Sequence, residues 1–122
     1  MILKVKSSKE KIYKTFFNYL AVDNDWNLTS TDLDIANELF IKNYNMLDTV
    51  KDFNKRMEII FSKTIKESIY KSLNLSYNTF NNSLTRLRKT GLINDNKLNE
   101  TICKINIDKG ISLTISLCLE TI

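Results

Sequence analysis

The chain has no histidine and no proline, and only two glycines and two cysteines among its 122 residues. Each shortage removes a class of function. Without histidine, Cys103 and Cys118 cannot complete a usual zinc site, and the commonest general base of enzymes is missing. With glycine only at Gly91 and Gly110, no glycine-rich loop can cradle a phosphate. No enzyme, metal site or cofactor is therefore expected. The same shortage of glycine and proline leaves little room for long loops or a flexible linker. No stretch approaches the roughly 18 apolar residues of a membrane span, and the first residues lack the apolar core of a secretory signal. A cytoplasmic location and no membrane partner are expected.

What is present is ordinary in bulk, with 43% hydrophobic and 26% charged residues, and it predicts one domain over residues 1–122. A chain of this length buries roughly two-thirds of its unfolded surface and needs no staple. Cys103 and Cys118 are accordingly expected as free thiols acting as small hydrophobes. Asn, Ile and Lys occur fifteen times each, which suits an AT-rich coding genome.

Residues 62–91 organise the rest. A helix over residues 64–73 places Ile65, Ile69 and Leu73 on one face at spacing i, i+4, i+8, and Asn74, Leu75 and Ser76 break the period. Ser76 caps a second helix, whose apolar face carries Tyr77, Phe80, Leu84 and Leu87, and Gly91 supplies the left-handed residue that ends it. Two short amphipathic helices across a three-residue turn make a helix-turn-helix over residues 64–90. Stepping about 100° per residue from Phe80 sends Asn78, Thr79, Asn82, Thr85, Arg86 and Lys89 to the far side. That face holds amides, hydroxyls and cations but no carboxylate.

Charge is concentrated at the same place. Residues 62–91 carry six basic residues (Lys63, Lys66, Lys71, Arg86, Arg88 and Lys89) against Glu67 alone, a local excess of +5. Residues 1–61 sum to zero and residues 92–122 to −1, so the whole net charge of +4 arises from this motif. A polyanion is drawn there first. The plainer alternative is a solvated face in a chain rich in Asn and Lys.

Before the motif, residues 2–5 suit a short edge strand. Ser7 or Ser8 then caps a helix running to about residue 21, with Ile12, Phe16 and Leu20 inward. Lys9, Lys11 and Lys14 lie in its first half, where a cation is mildly unfavourable, which implies either a phosphate or acidic partner or screening by Glu10 and solvent. From Asp23 to Glu38 the sign reverses, and Asp32 and Asp34 fall in the first turns of a helix that begins after Thr29 or Ser30 and runs to about residue 44. Asp23 and Asp25 flank a loop and have no catalytic companion. A further helix is expected over residues 47–61, with Lys55 and Arg56 on a solvated face. After the motif, Asn94, Asp95 and Asn96 read as a turn, and strands over residues 98–107 and 111–119 pair across Asp108, Lys109 and Gly110, with Cys103 and Cys118 on opposite faces of the hairpin.

Over residues 64–93 the chain resembles the winged helix-turn-helix family of DNA-binding domains, on Ile65, Ile69, Leu73-Asn74-Leu75-Ser76, Phe80, Leu84, Leu87 and Gly91-Leu92-Ile93. Its composition also looks like small proteins of phages and mobile elements. The resemblance implies a mainly α fold with a C-terminal β-hairpin: an N-terminal extension over residues 1–29, a helical core over 30–93 and a wing over 94–122. It implies base contacts from Asn78, Thr79, Asn82, Thr85 and Arg86, with Asn78 and Asn82 suited to adenine and Arg86 to a guanine or a phosphate. Phosphate contacts fall to Lys63, Lys66, Lys71, Ser76, Arg88 and Lys89. Lys104, Asn106 and Lys109 belong to the wing, which either touches the duplex or only closes the core. The expected function is sequence-selective binding of double-stranded DNA in transcriptional, phage or plasmid regulation. The alternative is a phage virion or assembly component that uses the scaffold for protein contacts. The N-terminal helices are then the surface for a homodimer or another protein, and the location is host cytoplasm or virion.

Overall fold

The structure, a computed structural model, describes residues 11–104. The expected edge strand over 2–5, the caps Ser7 and Ser8, Lys9, the wing residues Asn106 and Lys109, the strand 111–119 and Cys118 lie outside them. Within them are α1 (Ile12–Asp23), α2 (Ser30–Met46), α3 (Phe53–Ile60), α4 (Lys63–Ser72), α5 (Tyr77–Thr90), β1 (Ile93–Asn94), β2 (Lys97–Leu98) and α6 (Glu100–Cys103). The architecture is mainly helical, with a small two-stranded antiparallel sheet after α5. No helix of the described residues is long and apolar enough to cross a membrane.

The core is built around α2. Its residues Leu33, Ile35, Ala36, Leu39 and Phe40 are buried, and the helix touches α1, α3, α4, α5 and α6. From α1, Tyr13, Phe16, Phe17 and Leu20 form the i, i+3, i+4, i+7 stripe that an amphipathic helix presents to a core. Phe17 meets Phe40 edge to face at 4.9 Å, and Tyr13 lies 5.5 Å from the same ring. The first turn of α1 is tied to α2 by the Lys14 backbone N–H, which donates to Asn37 Oδ1 at 2.9 Å. The Lys14 ammonium meets Asp34 at 2.7 Å, so the acidic partner of this misplaced cation is inside the chain.

The start of α2 follows from its cap. Thr29 Oγ1 accepts from the Asp32 N–H at 3.1 Å, and Asp32 Oδ2 accepts from the Thr29 N–H at 3.0 Å, which closes a capping box. In α3 the boundary departs from expectation. Residues 47–49 form a turn and 50–52 are irregular, and the helix begins at Phe53 because Asp52 accepts from the Lys55 N–H at 3.0 Å. Arg56 is not on a solvated face but only 8% exposed. Its Nε donates to the buried Asn43 Oδ1, and its Nη1 donates to the carbonyls of Val50 and Lys51, carbonyls that a continuous helix would have turned onto its own axis. Arg56 thus holds the 47–52 connection open.

The two helices expected over residues 64–90 form within a residue of their expected bounds. Ser62 caps α4 and Ser76 caps α5, each through its hydroxyl accepting a backbone N–H three residues on. Asn74 adopts the left-handed conformation in the turn (φ 56°), and Leu75 N–H closes it on Tyr70 O at 2.8 Å. Gly91 ends α5 at φ 83°. A Cβ added there would meet nothing within 4 Å, so Gly91→Ala carries only the left-handed backbone penalty. It is expected to destabilise the fold by about 1 kcal/mol in a denaturant melt.

Beyond α5 the hairpin is much smaller than expected. Ile93 pairs with Leu98 and Asn94 with Lys97 around a tight turn at Asp95 (φ 55°). The strand expected over residues 98–107 is replaced within the described residues by α6. Asn99 Oδ1 caps that turn by accepting the Ile102 N–H at 3.2 Å, and Leu98, Ile102 and Cys103 bury together at helical spacing. Cys103 is a free thiol in the core, and burial pushes its pKa up to about 12, as befits a small hydrophobe.

Candidate nucleic-acid interface

Four side chains on α5 share one exposed line. Asn78, Asn82, Thr85 and Lys89, at i, i+4, i+7 and i+11, all face solvent opposite the buried Phe80, Leu84 and Leu87. The amides of Asn78 and Asn82 have no hydrogen-bond partner among the described residues, so both ends of each are available. Thr85 Oγ1 donates back to Asn81 O at 3.1 Å. Thr79 is also exposed, and its hydroxyl accepts from Ser76 Oγ at 2.9 Å, which occupies the two side chains at the helix start with each other.

Arg86, expected on the outward face with these residues, is turned to the chain itself. Its Nε donates to Asp32 Oδ2 at 2.7 Å, and its Nη2 donates to Asp32 Oδ1 at 2.8 Å and to Ser83 Oγ at 3.3 Å. The Asp32 side chain is 0% exposed and the Arg86 side chain 37%. Burial would raise the Asp32 pKa, but the Arg86 guanidinium, the Ser83 hydroxyl and the Thr29 N–H outweigh it and hold the carboxyl below its ordinary value. The reason is structural need. A buried carboxylate that already serves the capping box has to be paired, and Arg86 is the cation that the α2–α5 packing brings to it. Arg86 is therefore not a free base-reading side chain.

The remaining cations divide by their partners. Lys71 is paired with Glu67 at 2.6 Å on the exposed side of α4. Arg88 donates from Nε to Asp95 O at 3.1 Å, which ties the end of α5 to the β1–β2 turn. Lys63, Lys66 and Lys89 form no ion pair among the described residues, and Lys63 and Lys89 are exposed. Lys104 ends α6, paired with Glu100 at 3.4 Å, and is not at a hairpin face. Of the acids between Asp23 and Glu38, Asp32 and Asp34 are used inside the chain.

One side chain lies where its spacing did not put it. Tyr77 was expected on the buried face but is 61% exposed. As the first residue of α5 it overhangs the end of α4. Tyr70 takes the inner place, 5.6 Å from Phe80, and meets the Tyr77 ring edge to face at 6.1 Å. The N-terminal extension also reaches this side of the molecule. Asp25, Trp26, Asn27 and Leu28 form a cleft of about 350 Å³ with Arg86, Lys89 and Thr90. Composition hinted at neither feature. No group of three or more His, Cys, Asp or Glu among the described residues is placed to hold a metal ion. The chain matches no protein-family model, no curated protein and no solved structure.

Proposed function

We propose that this protein binds double-stranded DNA sequence-selectively, with α4 and α5 as a helix-turn-helix of the winged type and α5 laid in the major groove. The observation that carries the reading is the line of Asn78, Asn82, Thr85 and Lys89, exposed, free of carboxylate and with both amides unpartnered. Amide groups left open at the start of such a helix suit base edges, and a lysine three turns on suits a phosphate. Lys63, Lys66 and Lys89 supply the electrostatic footprint, and the β1–β2 turn, fixed to Arg88, stands in the place of a wing. The protein is a binding protein in this reading, with a regulatory role in transcription or in a phage or plasmid cycle.

The test is selection of bound duplexes from a random DNA pool. Recovery of one recurring sequence supports the proposal, and an unchanged pool at low salt would sink it. A second reading, a virion or assembly component that works through protein contacts, draws on an apolar groove of about 220 Å³ formed by Lys42, Asn45, Met46, Ile59, Ile60 and Ile65, with Ile59 39% exposed. Finding the protein in purified particles would favour it.

A further inference from the structure

We infer that the bases α5 reads are A·T pairs, with Asn78 and Asn82 on adenine and with Tyr77 and Thr85 against thymine methyl groups. This rests on the DNA-binding reading above and goes further by excluding guanine and cytosine.

The exclusion comes from where the arginines are. Guanine is most often read by an arginine that gives two parallel N–H donors to O6 and N7. Arg86 has Nε and Nη2 committed to the two oxygens of Asp32 and to Ser83, so only Nη1 is left, enough for one phosphate oxygen but not for a bidentate edge. Pulling it away for a base would leave Asp32 buried and uncompensated. Arg88 is anchored through Nε to Asp95 O at 3.1 Å and stands, like Lys89, at the C-terminal end of α5, where cations meet backbone. Lys89 stands about 16 Å along the axis from Asn78, at the end of the helix where cations meet backbone. Cytosine N4 is read by the carboxylate of Glu or Asp, and α5 has no carboxylate.

What remains exposed at the start of α5 suits the other pair. An asparagine amide matches adenine N6 and N7 in one plane, and two unpartnered ones stand a turn apart. Thr85 has committed its hydroxyl proton to Asn81 O, which leaves its methyl group and an acceptor oxygen to offer. Tyr77 adds an aromatic surface next to Asn78, kept in place by the edge of Tyr70 and through it by Phe80. Thymine alone carries a methyl group in the major groove, and apolar side chains are what recognise it.

The experiment uses the full chain and the duplex recovered from the random pool, compared with duplexes in which deoxyuridine replaces thymidine or 7-deazaadenine replaces adenine at the selected positions. The first change removes only the methyl group and the second only the N7 acceptor. The recovered core is expected to be A·T. Each replacement is expected to weaken binding by roughly tenfold at one contacted position. The deoxyuridine effect should largely vanish in Tyr77→Ala, and the 7-deazaadenine effect in Asn82→Ala. A selected core of G·C pairs, or affinity indifferent to both replacements, overturns the base assignment and leaves DNA binding standing. A pool that yields no preferred sequence overturns both.

Discussion

Replacing Asp32 with asparagine is expected to lower the unfolding free energy by about 2–3 kcal/mol. Breaking a buried ion pair by removing one partner typically costs about 3–5 kcal/mol, and the figure is reduced here because the Arg86 side chain, 37% exposed, recovers water when released. Arg86→Ala should cost at least as much, since it strands a carboxylate that is 0% exposed. The effect also has a sign in pH. Asp32 titrates lower in the folded protein than in the unfolded chain, where it has its ordinary value near 3.8. Its contribution is therefore fully present above that value and is lost as pH falls through the folded pKa. The wild type should lose stability on acidification below about pH 4, and Asp32→Asn should show a flatter acid limb. Equal melting temperatures for the two proteins, or parallel acid limbs, would show that the pair does not secure α5 to α2.

In DNA binding, the larger expected effect is a separation between affinity and selectivity. With Lys63, Lys66 and Lys89 on three phosphates, binding should weaken roughly 40-fold as salt rises from about 50 to 200 mM. Lys66→Ala or Lys89→Ala should weaken every sequence alike and lower the slope of log affinity against log salt by about one. Asn82→Ala should leave that slope unchanged and cost about 1–3 kcal/mol of discrimination between the selected duplex and a scrambled one. Arg86→Ala should behave differently from both, lowering stability while leaving base preference where it was. A mobility shift in which Asn78→Ala and Asn82→Ala retain full selectivity would remove α5 from the major groove.

The two helices α4 and α5 and the turn between them were legible because their signals are local. Ser62, Ser76 and Gly91 act on backbone groups within three residues of themselves, and Ile69, Phe80, Leu84 and Leu87 repeat at helical spacing. The same holds for the Thr29 cap of α2. Elsewhere local pattern pointed the wrong way. Cys103, Ile105 and Ile107 alternate in sequence as a strand would, yet the Asn99 cap turns residues 100–103 into α6. Spacing also joined residues 47–52 to α3, because nothing nearby reveals that Arg56 will take the Val50 and Lys51 carbonyls while its Nε reaches Asn43.

What the amino-acid order settled unaided is therefore where the helices α2, α4 and α5 start or stop and which of their faces is apolar, since caps and periodicity act over one or two turns. Which polar groups on the outer face stay open was decided only by tertiary packing. Asp32 and Arg86 are 54 residues apart, and the need of a buried carboxylate for a cation exists only once α2 and α5 lie together. That pairing turns an arginine inward from the outer face, and the packing of Tyr70 on Phe80 leaves Tyr77 exposed there.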